Sequence, residues 1–181
     1  MILPQPAGND KRIVFDNLPH AVYYRRMRSV DRVRQYFAQQ GLQIEVKELS
    51  ASTRTAQLAA DAVGAPLGSI VKSLIFIAAD DQTILALVAG DQRADAEKIA
   101  GCIGAANVRM ANGEEVRART SFAIGGVPPV GHSTPLNTLV DATLLRFEKL
   151  WAAAGAPNAL FAIETQIFVT LTQGRVAEIV V

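Results

Sequence analysis

The run Ile70-Val71-Lys72-Ser73-Leu74-Ile75-Phe76-Ile77-Ala78 carries a single charge, and a second apolar run, Thr83 to Val88, follows it across Asp80-Asp81-Gln82. β-Branched and aromatic side chains on both sides of a short polar break predict two paired strands joined by a turn. The first strand suits the core of a sheet, so Lys72 must reach an edge, a partner or a cavity. If side chains alternate, Lys72 shares a face with Leu74 and Phe76. The ordinary fate of such a lysine is to snorkel its ammonium into water. The functional alternative is a cationic anchor at the floor of a cleft.

Helices and strands interleave around this hairpin. Ser29 is placed to cap a helix that presents Val30, Val33, Tyr36 and Phe37 on one side and stops at Gly41. Ile44 to Leu49 alternates like a half-buried strand. An alanine-rich helix is expected over 53–63, ended by Gly64-Ala65-Pro66, and another over 94–103. Asn112 and Glu115 stand in capping-box positions before Val116. Asp141 is placed to cap a helix carrying Leu144, Leu145, Phe147, Leu150 and Trp151 and closed by Gly155-Ala156-Pro157. Asn158 to Ile163 reads as a strand, 165–172 fits helix or strand, and 176–181 reads as a last strand. This order predicts one compact α/β domain built round a mixed sheet flanked by helices.

A chain of 181 residues fits one such domain, and 50% hydrophobic residues exclude intrinsic disorder. One cysteine excludes an internal disulfide framework. The N-terminus lacks the basic start and apolar core of a secretory signal, and the uncharged stretch 120–140 is broken by Gly125-Gly126 and Pro128-Pro129, so a cytoplasmic protein with no membrane contact is expected. A net charge of +1 excludes a histone-like binder. The balance conceals an asymmetry, because residues 1–40 carry +4 and the remainder −3. Arg25, Arg26 and Arg28 beside Tyr23 and Tyr24 suit phosphate contacts and base stacking, although a solvated arm is the plainer reading.

The usual catalytic constellations are absent from the sequence: it has no phosphate-binding glycine loop, nucleophile elbow or His-Glu-x-x-His. His20, His132 and Cys102 are too few for a His/Cys metal site, so neither metal nor cofactor is expected. Asp80-Asp81 and Glu114-Glu115 have local roles in a turn and at a helix start, and Cys102 reads as a structural thiol. Two further segments stand out. In the first, residues 120–132, Gly125 and Gly126 would let backbone N–H groups approach a ligand, and Pro128 and Pro129 stiffen the chain after them. Such a loop can polarise a carbonyl without a reactive side chain. It can equally be a structural crossover. The second, Trp151 to Phe161, is rich in small residues that allow close packing or form a pocket wall.

These segments, in this order and spacing, resemble the YbaK/ProX family, free-standing relatives of the editing (INS) domain of bacterial prolyl-tRNA synthetases. The resemblance rests on Gly68 to Phe76, Leu87 to Asp91, Ala123 to Gly131 and Ala154 to Pro157, and it covers residues 29–181, leaving 1–28 as a basic extension. It implies a compact fold with a mixed, curved sheet and the hydrolysis of mischarged aminoacyl-tRNA. The substrate implied is the tRNA for proline carrying a small amino acid, with prolyl-tRNA synthetase as an associated partner. The family's essential lysine falls on Lys72, and its glycine loop on Gly125, Gly126, Val127, Pro128 and Pro129, whose backbone holds the substrate carbonyl. The resemblance implies that a water assisted by a ribose hydroxyl makes the attack. Near the third motif, where some relatives place a serine or histidine, this chain has Ala152-Ala153-Ala154 before Gly155, which implies an apolar acyl pocket here with Ala153 and Gly155 as substrate-binding residues. Arg25, Arg26 and Arg28 become candidate tRNA contacts. The competing reading is a non-catalytic module that keeps the fold to bind tRNA or a synthetase.

Overall fold

The computed structural model describes residues 27–50 and 53–181. Within them the chain runs α1 (Ser29–Gln39), β1 (Val46–Glu48), α2 (Ala56–Val63), β2 (Val71–Ala78), β3 (Thr83–Ala89), α3 (Ala96–Ile103), β4 (Val108–Met110), α4 (Gly113–Thr120), β5 (Asn137–Asp141), β6 (Lys149–Ala153), β7 (Ala159–Glu164), α5 (Thr165–Thr172) and β8 (Arg175–Ala177). Short 3-10 turns lie at Leu67–Ser69 and Ala142–Arg146. The result is the mixed α/β domain that the interleaved pattern requires.

The hairpin forms as expected, antiparallel from Val71 opposite Ala89 to Ile77 opposite Thr83. It is the centre of a five-stranded sheet ordered β4-β2-β3-β5-β8, in which β5 runs parallel to both β3 and β8. Alternation along β3 sends Leu85, Leu87 and Ala89 into the larger core, with Phe37, Leu150, Phe161 and Phe168, and Ile84, Ala86 and Val88 into a second core with Ile99, Leu139 and Ile179. A strand covered on both faces must be apolar throughout, which is why Thr83–Ala89 shows no polar alternation.

Where one sheet was expected, hydrogen bonding divides the strands into two. The second sheet is antiparallel and ordered β1-β7-β6. The two meet at an isolated parallel bridge between Ile70, just before β2, and Trp151 in β6. The helix expected after Asp141 is not formed. Asp141 does cap, but it caps the 3-10 turn, and Lys149–Ala153 is a strand. The reason is burial with a period of two: Leu150, Ala152 and Ala154 are fully buried, while Trp151 and Ala153 are only partly so. Pairing with β7 overrides the helical preference of Leu and Ala. Ser29 also differs from expectation, since α1 has no side-chain cap. Its Oγ instead accepts a hydrogen bond from Arg32 Nη2 at 3.0 Å. The capping box of α4 forms as read, with Asn112 Oδ1 accepting from Glu115 N and Glu115 Oε2 accepting from Asn112 N.

Asp141 is fully buried at the end of β5, and both of its oxygens are used. Oδ1 accepts the N–H of Thr143 at 2.9 Å and the Thr143 hydroxyl, and Oδ2 accepts the N–H of Ile179 at 3.1 Å. It therefore ties the chain after the edge strand β8 to the end of β5. Asp141→Ala strands two backbone donors and should cost about 3 kcal/mol, read as a shifted midpoint in urea unfolding.

Candidate active site

On one edge β2 pairs with β3 along its length, but on the other β4 reaches it only from Phe76 onward and β6 only at Ile70. The residues between lie at a fork between the sheets, and a cleft of about 510 Å³ opens there. Its walls are mostly apolar, with Ile70, Leu74, Val116 and Leu160 among them, and Met110 and Ile124 stand more than half exposed at its edge. The volume is within the range of small-molecule sites, roughly 300–1,000 Å³.

Lys72, Gly125, Val127 and Ala153 all line this cleft, although they come from three different segments. Gly126, Pro128, Pro129 and Gly155 do not line it, and they support it from behind. A Cβ on Gly126 would lie 2.8 Å from the backbone of Ala156, and a Cβ on Gly155 would lie 2.4 Å from Ser29 O, where φ is already +92°. Pro128 and Pro129 are buried beside them. Arg28 is exposed and lies outside the cleft lining, with its guanidinium paired to Asp31 at 2.9 Å and to Glu48 at 3.4 Å. Arg25 and Arg26 lie outside the described residues.

Lys72 is half-buried on the face of Leu74, as the alternation predicts, and its Nζ turns toward the end of β3. There it donates to Gly90 O at 3.2 Å and, more closely, to Gln92 O. Burial lowers its pKa, partly offset by Asp91 nearby. Two of its three donors are thus held by carbonyls, and the third remains. In the glycine loop the Gly126 N–H is committed to Ala123 O at 2.9 Å, so it is closed to a ligand. The amides of Gly125 and Val127 have no acceptor among the described residues, and both residues line the cleft. Gly125 has φ +81°, a conformation natural to glycine, and a Cβ there would sit 3.2 Å from the backbone of Arg54.

Several lining residues escaped the sequence reading, Arg54, Thr53 and Ser73 among them. Arg54 is exposed against Gly125 and has no ion pair among the described residues. Thr53, just before it, is pinned to Pro157 O through both its N–H and its hydroxyl, at 2.6 and 2.9 Å. The third is Ser73, the hydroxyl next to Lys72. The available signal was its place, beside Lys72, as one of two polar residues in an otherwise apolar strand. Among the described residues no group of three His, Cys, Asp or Glu is placed to hold a metal ion.

His132 is not a cleft residue. It packs edge-on to Phe122 at 5.4 Å, and its Nε2 lies 2.8 Å from Pro128 O, so this nitrogen carries the proton and braces the proline pair. Burial is the main cause that holds its pKa down at about 4, against the pull of the Pro128 carbonyl.

The aminoacyl-tRNA editing domain model matches residues 50–171. The chain belongs to the aminoacyl-tRNA editing domain family. It is 35% identical over 131 residues to the uncharacterized protein YwhH of Bacillus subtilis, covering 72% of this chain and 83% of that protein. It is 25% identical over 125 residues to the candidate Cys-tRNA(Pro)/Cys-tRNA(Cys) deacylase EbsC of Enterococcus faecalis, covering 69% of this chain and 76% of that one. A crystal structure described as that of a candidate trans-editing enzyme for prolyl-tRNA synthetase superposes with a TM-score of 0.79 at 45% identity, over 84% of this chain and 97% of the other. The lysine strand and the glycine loop both fall inside the matched range. No helix among the described residues is long and apolar enough to cross a membrane.

The histidine gives a pH prediction. The unfolded chain takes up this proton near pH 6.5 and the folded one only near 4, so between these values the unfolded state binds more protons. Stability should therefore fall as pH drops from 6.5 toward 4, by about 2 kcal/mol at pH 5 relative to pH 7.5. Urea unfolding across that range should show the slope in the parent, and a shallower slope in His132→Gln.

Proposed function

We propose that this editing-domain protein is a cytoplasmic trans-editing deacylase that hydrolyses the ester of mischarged tRNA, with the tRNA for proline carrying a small amino acid as its substrate. In this reading residues 29–181 form the editing unit and residues 1–28 a basic extension. The observation that carries it is the meeting, in one apolar cleft, of Lys72 with the amides of Gly125 and Val127, which have no acceptor among the described residues.

Among the described residues the lining has no carboxylate, histidine or cysteine, so its hydroxyls at Thr53, Thr55 and Ser73 have no carboxylate or imidazole base to make one of them a nucleophile. An aminoacyl ester needs little of either. It is already activated, and placing a water against a polarised carbonyl supplies most of what hydrolysis requires. Gly125 and Val127 donate to the carbonyl oxygen as charge develops on it. The water oxygen bonds to the carbonyl carbon, the bond from that carbon to the ribose oxygen breaks, and the ribose oxygen leaves as a hydroxyl after gaining a proton. A neighbouring hydroxyl of the terminal ribose relays the proton from the water. The products are a free amino acid and an uncharged tRNA.

Lys72 and Arg54 are the charged residues of the lining, and both are cations. That polarity suits the phosphates of a tRNA end, whose contacts set position and register. Ala153 and the aliphatic walls suit a small apolar acyl side chain. Such walls separate substrates differing by one methylene by only about 1–3 kcal/mol, which makes a second hydrolytic check useful.

The test is ester loss from proline tRNA charged with a panel of small amino acids. The reading expects at least one to be removed well above the uncatalysed rate. Binding of the tRNA with no ester loss would instead favour the non-catalytic module. Gly125→Ala, which brings a Cβ against Arg54 and strains a φ of +81°, should lower kcat by about a hundredfold, the scale for losing one oxyanion donor. Lys72→Ala should lower kcat/KM by at least tenfold while KM for the tRNA rises. It also releases Gly90 O and Gln92 O, so its thermal midpoint should be measured beside its activity.

A further inference from the structure

The two carbonyls that hold Lys72 stand on either side of one carboxylate. Lys72 Nζ donates to Gly90 O at 3.2 Å and to Gln92 O, and the residue between them is Asp91. These residues form the turn after β3, closed by Gln92 N–H donating to Ala89 O at 3.0 Å. The Asp91 side chain is gripped by Arg146, whose Nη2 donates to Oδ1 at 2.8 Å and to Oδ2 at 3.0 Å. Arg146 is itself fixed, because its Nε donates to Thr143 O at 2.7 Å. Thr143 is held in turn, through its N–H and its hydroxyl, by the fully buried Asp141. Gly68 makes room for the ion pair, since a Cβ there would lie 2.7 Å from Asp91 Oδ2 and 2.9 Å from Arg146 Nη2. A continuous run of contacts thus leads from a buried carboxylate in the core to the ammonium in the cleft.

Neither Asp91 nor Arg146 lines the cleft. Both side chains are partly exposed, and ion pairs of that kind contribute little to stability. What the pair does fix is the place and the charge of Lys72. A lysine ammonium sits on a flexible stem, so its direction is set by the acceptors it finds. Here the acceptors are main-chain carbonyls, and they can be no better placed than the turn that carries them. Burial in the cleft works against the charged form of Lys72, and Asp91 is the neighbour whose charge favours it. We propose that Asp91, oriented by Arg146, is a positioning residue for Lys72: it holds the turn so that Gly90 O and Gln92 O keep the ammonium at the cleft wall. This inference rests on the deacylase reading and states what puts its cation in place. Asp91 and Arg146 touch no substrate and act only through Lys72. Misplacing a group in such a site by about 1 Å can cost up to about a hundredfold in rate, even when the altered residue lies away from the chemistry.

A residue that acts through another loses its effect when that other is removed. The experiment measures ester loss, on the mischarged tRNA that the parent hydrolyses fastest, for Asp91→Asn, Arg146→Gln, Lys72→Met and the double variant Lys72→Met with Arg146→Gln. Asp91→Asn and Arg146→Gln should each lower kcat/KM about fivefold, mainly through a higher KM for the tRNA, while the melting temperature stays near that of the parent. Arg146→Lys, which keeps a cation beside Asp91, should recover part of the loss. In the Lys72→Met background Arg146→Gln should change kcat/KM by less than about twofold. Equal losses in both backgrounds would overturn the proposal, because the pair would then act on the fold or on the tRNA directly. A second measurement needs no activity: an NMR titration of the Lys72 side chain in the whole protein, its signal identified by its absence from Lys72→Met. Its midpoint should move lower in Asp91→Asn, and an unmoved midpoint would also overturn the proposal. Absence of ester loss by the parent would sink the deacylase reading, and the titration would still decide by itself whether Asp91 governs Lys72.

Discussion

Strand β2 is paired with β3 along the whole of one edge and with β4 over only part of the other, and the cleft lies against the part that β4 does not reach. The hairpin with β3 fixes one edge along the whole strand. On the other edge β6 meets it at Ile70 and β4 begins at Phe76, and the gap between them is as wide as a few residues. A fully paired edge would have made a seamless sheet with a solid core. Splitting the partners lets the chain keep two well-packed cores while holding open a space lined by backbone. The buried Asp141 and the Thr53–Pro157 clamp serve the same arrangement, since they hold the far end of the sheet and the mouth of the cleft in place.

The hairpin and the helix boundaries at Gly64 and Asn112 could be read from the sequence because each depends on local rules: apolar runs, a left-handed glycine and a capping residue. The segment 142–153 could not. Leu144, Leu145, Phe147 and Leu150 have helical spacing, and only pairing with β7, distant until the chain folds, selects a strand. Nor could the division into two sheets, which depends on where β4 and β6 stop along β2. Lys72 and Gly125 were legible from charge in an apolar run and from paired glycines. Arg54 was not, because its place against Gly125 and its lack of an ion pair among the described residues are properties of the neighbours and not of the residue type.

The glycines of residues 125–155 divide by what they touch. Gly125 faces the cleft, whereas Gly126 and Gly155 are pressed against Ala156 and Ser29. The loop and the end of β6 are therefore fitted to each other and to α1 from behind, and His132 braces the prolines between them in its neutral form. Precision at the front of the site comes from close packing at its back.

Where the groups that meet a ligand belong to the main chain, side chains are released from that duty. Met110, Val116, Ile124 and Ala153 shape the cleft without taking part in the ladder bonds of β2 or the turn at Ala123. They can be exchanged for larger or smaller residues while every backbone donor and acceptor stays where it is. A fold built this way separates what is recognised in all its substrates from what distinguishes one from another, so a lineage can drift in specificity without rebuilding its chemistry.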